Sequence, residues 1–174
     1  GKTIVATKIL SLLLETNAQP MNLAREEEDL DADESYCLKI QRKLLEFVHK
    51  RKRPIRLGYV VAMTSLRKTL QDVFKTTLKE ELKQASTSAG KIVIGTVDVA
   101  KATEPFDLLI VDEAHRLPRY RNISWRGEYK KCSEQLGLDP KTASTLDWIL
   151  RQSQCQILFY DAAQTVRPAD VPDE

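Results

Sequence analysis

Residues 106–115 read FDLLIVDEAH, and this stretch decides how the rest of the chain is organised. Four consecutive aliphatic side chains, Leu108 to Val111, suit a strand buried on both faces, which is the environment of a parallel sheet covered by helices. The run ends on two adjacent acids, Asp112 and Glu113. A buried strand has no structural need for such a pair at its end. One carboxylate there can hold Mg²⁺, normally through water, while the next polarises a water for attack on a phosphoryl group. The competing reading is that both acids merely cap the segment that follows.

Outward from this strand, short apolar runs alternate with helical patterns. IRLGYVVAMTS (55–65) reads as a strand and LRKTLQDVFKTTLKEELKQ (66–84) as one amphipathic helix. KIVIGTV (91–97) reads as a strand, TASTLDWILRQS (142–153) as a helix and CQILFYDAAQ (155–164) as a last strand. The alternation predicts an α/β fold with a mostly parallel sheet and helices on both faces. Before it, Ile4, Val5, Ile9, Leu12 and Leu13 predict a mostly buried helix over residues 3–15. Residues 17–35, with Pro20 and a cluster of acids, read as a solvated loop. A further helix is expected from Ser35 to about Lys52, ended by Pro54, with the basic run at 49–53 at its C-terminus. Residues 116–140 fit neither period and read as a long functional or peripheral loop.

The chain has 174 residues, enough for one domain with a substantial core. Hydrophobic residues make up 42% and charged residues 30%, a globular balance, and the net charge of +2 singles out no partner. Cys37, Cys132 and Cys155 stand far apart, which favours neither a disulfide framework nor a zinc site and fits a reducing, cytoplasmic setting. No stretch near the start is long enough to span a bilayer, so no membrane association is expected.

In open α/β sheets ligands sit beyond the carboxyl ends of the strands, so the residues just after each apolar run are the informative ones. Those are Thr64 and Ser65, Thr96 and Asp98, Asp112 and Glu113, then Asp161 and Gln164. The chain itself opens on Gly1-Lys2-Thr3. As the end of G-x-x-x-x-G-K-[ST], this tripeptide would put Lys2 on the β- and γ-phosphates of a nucleotide and the Thr3 hydroxyl on Mg²⁺, with the helix start offering N–H groups. A bare G-K-T also arises by chance. The order of features favours the phosphate loop: the tripeptide first, the acid pair later on a buried strand, then a strand ending in polar residues.

With these residues in view, the chain resembles the first RecA-like domain of superfamily 1 helicases, and most resembles the Schlafen group 3 DNA/RNA helicase domain. GKT matches the end of motif I (Walker A), VVAMTSLRKTL (60–70) lies where motif Ia would, LLIVDEAHRL (108–117) matches motif II (Walker B), and ILFYDAAQTVRP (157–168) matches motif III. The resemblance covers nearly the whole chain and implies that ATP and Mg²⁺ are the cofactors. It further implies that Gly1, Lys2 and Thr3 bind phosphate, Thr3 and Asp112 the metal, that Glu113 is the catalytic base and that Gln164 senses the γ-phosphate. His115 and Arg167 would couple within motifs II and III. Thr64, Ser65, Arg67 and Thr96 would touch single-stranded DNA or RNA, although strand-end and cap roles explain the hydroxyl residues equally well.

The front of motif I is absent, as is everything beyond motif III. Residues 1–174 are therefore expected to be a single partial RecA-like ATPase domain, truncated at both ends, whose second RecA-like domain lies elsewhere in the same chain. In this class the strand before the phosphate loop lies inside the sheet, so an unpaired edge or gap is expected beside the motif III strand, along with marginal stability and poor turnover of the isolated segment. Trp148, at helical spacing with Leu146, Ile149 and Leu150, is expected in the core. Trp125, among Arg119, Arg121, Arg126 and Lys130, is left between nucleic-acid contact and plain surface loop. The leading function is an ATP-hydrolysing helicase or translocase motor. The same pocket would also serve a nucleotide-controlled switch or a scaffold without turnover.

Overall fold

The computed structural model describes residues 2–18, 43, 46, 55–84, 87–121 and 123–161, with the backbone alone at 2, 15–18 and 84. The order is α1 (Lys2–Ala18), β1 (Leu57–Val61), α2 (Thr64–Thr77), α3 (Lys79–Gln84), α4 (Ala89–Ile92), β2 (Val93–Ile94), α5 (Thr96–Ala100), β3 (Phe106–Asp112), a 3₁₀ turn (Ala114–Arg116), α6 (Arg126–Gln135), α7 (Thr145–Arg151) and β4 (Ser153–Leu158). The four strands form one parallel sheet in the order β2-β1-β3-β4. Val61 pairs with Asp112 and Val111 with Leu158, so the strands end close together.

The period-2 alternation of β3 sorts the core into two layers. Leu108 and Ile110 join Tyr59 and Val61 of β1 on one face, against Ala6, Leu10, Leu13 and Leu14 of α1 and Leu70 and Phe74 of α2. Leu109 and Val111 join Val60 on the other, against Val99 of α5 and Ile149 of α7. The α/β expectation with helices on both faces holds. Beyond the second face, Tyr129 and Cys132 of α6 pack with Trp148 of α7, and the Trp148 indole N–H donates to Ser133 Oγ at 3.0 Å. Burial pushes both the Tyr129 phenol and the Cys132 thiol above their ordinary ranges.

Several boundaries differ from the expectation. Residues 66–84 break at the buried Leu78 into α2 and α3, where Leu78 leaves helical geometry and joins the core cluster on the α1 face of the sheet. Only Val93 and Ile94 of 91–97 form a strand, since Asp98 accepts from the Gly95 N–H at 2.8 Å and starts α5 immediately. Residues 116–140 are not a structureless loop: they hold α6, which buries the narrow stripe Tyr129, Cys132 and Ser133 and is followed by Gly137 at φ +70°, where a left-handed residue closes the last turn. Ile4 and Val5, expected inside, are 72% and 53% exposed, and Ala6 takes the buried position instead. Of the helix expected over 35–52 only residues 43 and 46 are described, both helical and exposed, and residues 17 and 18 of the expected acidic loop belong to α1; the rest of both stretches, Cys37 included, lies outside the described residues.

Among the described residues no strand lies beyond β4, which is half-exposed and leaves Leu158 43% open. No helix among them is long and apolar enough to cross a membrane.

Gly58 of β1 is required by close packing: a Cβ there would stand 2.6 Å from Leu109 Cδ2, 3.1 Å from Ile94 Cδ1 and 3.2 Å from Phe106 Cε1. Gly58→Val is expected to destabilise the fold by about 1–3 kcal/mol despite the better strand propensity of valine. Urea unfolding of the two proteins checks this, and equal midpoints would contradict the packing described.

Candidate active site

Because all four strands run the same way, their carboxyl ends meet at one edge, and the first turn of α1 is brought to that edge as well. The same alternation that puts Leu108 and Ile110 under α1 puts Asp112 there too. Asp112 is 1% exposed, and both oxygens of its carboxylate accept hydrogen bonds. Thr3 Oγ1 donates to Oδ2 at 3.0 Å, Tyr59 Oη donates to the same oxygen at 2.9 Å, and the Glu113 N–H donates to Oδ1 at 3.1 Å. Thr3 and Asp112, 109 positions apart, are thus in direct contact. Burial, reinforced by the Asp112 charge, holds the Tyr59 phenol well above its ordinary range, so it remains a donor.

Glu113 has φ 53° and ψ 48°, and among the described residues it is the only non-glycine at positive φ. A left-handed conformation costs a non-glycine residue about 1–2 kcal/mol, and it swings the glutamate off the line of the strand. The strain is sustained on both sides: Ala114 N–H donates to Phe159 O at 2.8 Å and Phe159 N–H to Val111 O at 2.9 Å. Glu113 Oε2 lies 3.0 Å from His115 Nε2 and 3.6 Å from Arg116 Nε. The His115 contact is close but not aligned as a hydrogen bond, and both ring nitrogens of this fully buried histidine lack an aligned partner. Its ring meets Tyr160 edge-on, with centroids 6.0 Å apart.

At the neighbouring strand end, Thr64 and Ser65 are exposed in the first turn of α2, which has no side-chain cap. Arg67 lies across Gly95, where a Cβ would come within 2.1 Å of the guanidinium, and faces Asp98 at 3.6 Å. Thr96 is buried at the start of α5. Trp125 is half-buried, its ring 5.5 Å from Tyr129 and 6.1 Å from Trp148, so it belongs to the margin of the aromatic core. Gly1, Gln164 and Arg167 and the Lys2 side chain lie outside the described residues.

Hard oxygen donors at Thr3 and Asp112 suit Mg²⁺, and no cluster of three or more His, Cys, Asp or Glu able to hold a metal occurs among the described residues. Tyr59 escaped the sequence reading. The available signal was a lone hydroxyl in an otherwise aliphatic strand, two residues from its end.

A parallel sheet with helices on both faces, and a buried aspartate and a strained glutamate at the end of an interior strand, is consistent with a RecA-like domain. The chain belongs to the Schlafen group 3, DNA/RNA helicase domain family, whose model matches residues 1–174. No curated protein and no solved structure matches it significantly. The family description points to a helicase-type function.

The left-handed backbone at Glu113 yields a stability test independent of activity. Glu113→Val is expected to fold less stably than Glu113→Gly by about 1–3 kcal/mol, because a β-branched side chain is a steric outlier there. Thermal or urea unfolding of the two variants measures the difference, and equal stability would mean that the backbone at 113 is not held in this conformation.

Proposed function

We propose that this chain is the nucleotide-hydrolysing part of an ATP-dependent helicase or translocase acting on single-stranded DNA or RNA. The contact between Thr3 and Asp112 carries this reading, because it joins the G-K-T hydroxyl to the first acid of the buried strand. Gly1, Lys2 and the start of α1 would bind the phosphates, with the helix N-terminus favouring their charge. Thr3 and Asp112 would hold Mg²⁺, which when bound neutralises phosphate charge. Glu113, turned out of the strand beside Asp112, would accept the proton of the attacking water. Gln164 would sense the γ-phosphate, with His115 and Arg167 linking it to the acid pair. A second RecA-like domain of the same protein would close the cleft.

The strand would cross the neighbouring end of the sheet at Thr64, Ser65 and Arg67. Thr96, being buried, would act there by starting α5 beneath Arg67. The cytoplasm is the proposed location. A second reading, a nucleotide-controlled switch without unwinding, uses the same pocket and differs in its response to a polynucleotide.

ATP hydrolysis by the full-length protein is expected to rise with single-stranded DNA or RNA and to fall by about 10²-fold or more in Glu113→Gln, as loss of a general base would require. Hydrolysis lost in Glu113→Gln yet indifferent to both polymers would favour the switch. Glu113→Gln hydrolysing like the wild type would remove the assignment. Arg67→Ala is expected to weaken strand binding alike for all sequences and to reduce the salt slope by about one, the signature of one lost phosphate contact. Binding at several salt concentrations measures this.

A further inference from the structure

We infer that the Tyr59 hydroxyl is a positioning group for the cation-binding carboxylate of Asp112, an inference that rests on the nucleotide-binding reading of the site. Two hydroxyls converge on one oxygen, Asp112 Oδ2: Thr3 at 3.0 Å and Tyr59 at 2.9 Å. Their anchoring differs. Thr3 sits in the first turn of α1, next to where the nucleotide would bind. Tyr59 is fully buried in β1, and its ring stands edge-on to Phe74 of α2 with centroids 5.2 Å apart and planes at 86°. The phenol oxygen is therefore placed by the sheet and α2, independently of any ligand.

The carboxylate torsion of an aspartate is intrinsically broad, so a lone donor would leave its plane poorly defined. With Tyr59 on Oδ2 and the Glu113 N–H on Oδ1, the plane is set by backbone and core before a cation arrives. The Thr3 proton then has a fixed acceptor, which leaves the lone pairs of its oxygen for the metal. Groups that orient a metal-binding side chain in this way typically contribute about 10–100-fold to metal affinity.

The register explains why β1 supplies the donor. Val61 lies opposite Asp112 and Tyr59 opposite Ile110, so Tyr59 shares the α1 face with Asp112 one step back along the neighbouring strand, within reach of a long phenol side chain. Phenylalanine would fill the same space and offer no hydrogen bond.

Tyr59→Phe in the full-length protein, with Mn²⁺ binding in the presence of ATP followed by electron paramagnetic resonance, tests the inference. Mn²⁺ affinity is expected to fall by about tenfold, with metal-free ATP binding and cooperative unfolding retained. Phe74→Leu, which loosens the ring contact and keeps the hydroxyl, is expected to lower the melting temperature and to reduce Mn²⁺ affinity less than Tyr59→Phe does. Asp112→Asn is expected to abolish the site. Tyr59→Phe binding Mn²⁺ as tightly as wild type, while Asp112→Asn does not, overturns the role of Tyr59 and leaves the site reading standing. Wild type and Asp112→Asn binding Mn²⁺ alike overturns both. Tyr59→Phe failing to fold where Phe74→Leu folds assigns the hydroxyl to folding and overturns the inference.

Discussion

The carboxylate of Asp112 is the constraint around which this structure is arranged. A charge at the buried end of an aliphatic strand carries a large desolvation cost unless its oxygens are hydrogen-bonded. Three donors from three different places answer it: the first turn of α1, the interior of β1 and the backbone of the residue that follows. The first two tie α1 and β1 to the end of β3. Satisfying the buried charge and assembling the site are thus one physical act.

The rest of the edge follows from the sheet being parallel. Every strand delivers its last residues to the same side, so the acid pair, the uncapped start of α2 and the Gly95–Asp98 turn become neighbours without any long-range signal between them. Two backbone details refine the arrangement. Glu113 leaves the strand through a left-handed conformation pinned by the β3–β4 ladder, and Gly95 has no side chain because Arg67 occupies that space. The two faces also divide the work. The face covered by α1 and α2 holds the groups that reach Asp112, while the α5–α7 face is an apolar and aromatic support.

What was legible in the sequence was whatever a short window encodes. Leu108 to Val111 running into Asp112 and Glu113 announced both a buried strand and an acidic end, and the apolar period of 142–153 announced a helix, which in the structure starts at Thr145 behind a cap where Ser144 and Asp147 bond reciprocally. Window reasoning failed where burial was narrow or shared. α6 was read as a loop because only Tyr129, Cys132 and Ser133 turn inward, too thin a stripe for a periodic signal. The 66–84 helix was read as continuous because Leu78 fits the apolar period equally well inside a helix or at a break. Trp125, flanked by basic residues, was open between two surface roles, and its rings-on-rings contacts come from α6 and α7, which only the fold brings near.

By itself, then, the sequence determined the α/β alternation, the interior strand with its acid pair and the polar residues at each strand end, because side-chain period and local composition are properties of neighbouring residues. Only the tertiary structure decided that Thr3 meets Asp112 across more than a hundred residues, that Tyr59 shares the same oxygen, and that Glu113 departs from the strand in a left-handed turn. Those facts depend on strand order, register and the seating of α1 on the sheet, which arise from packing the whole core at once and are written in no single stretch of the chain.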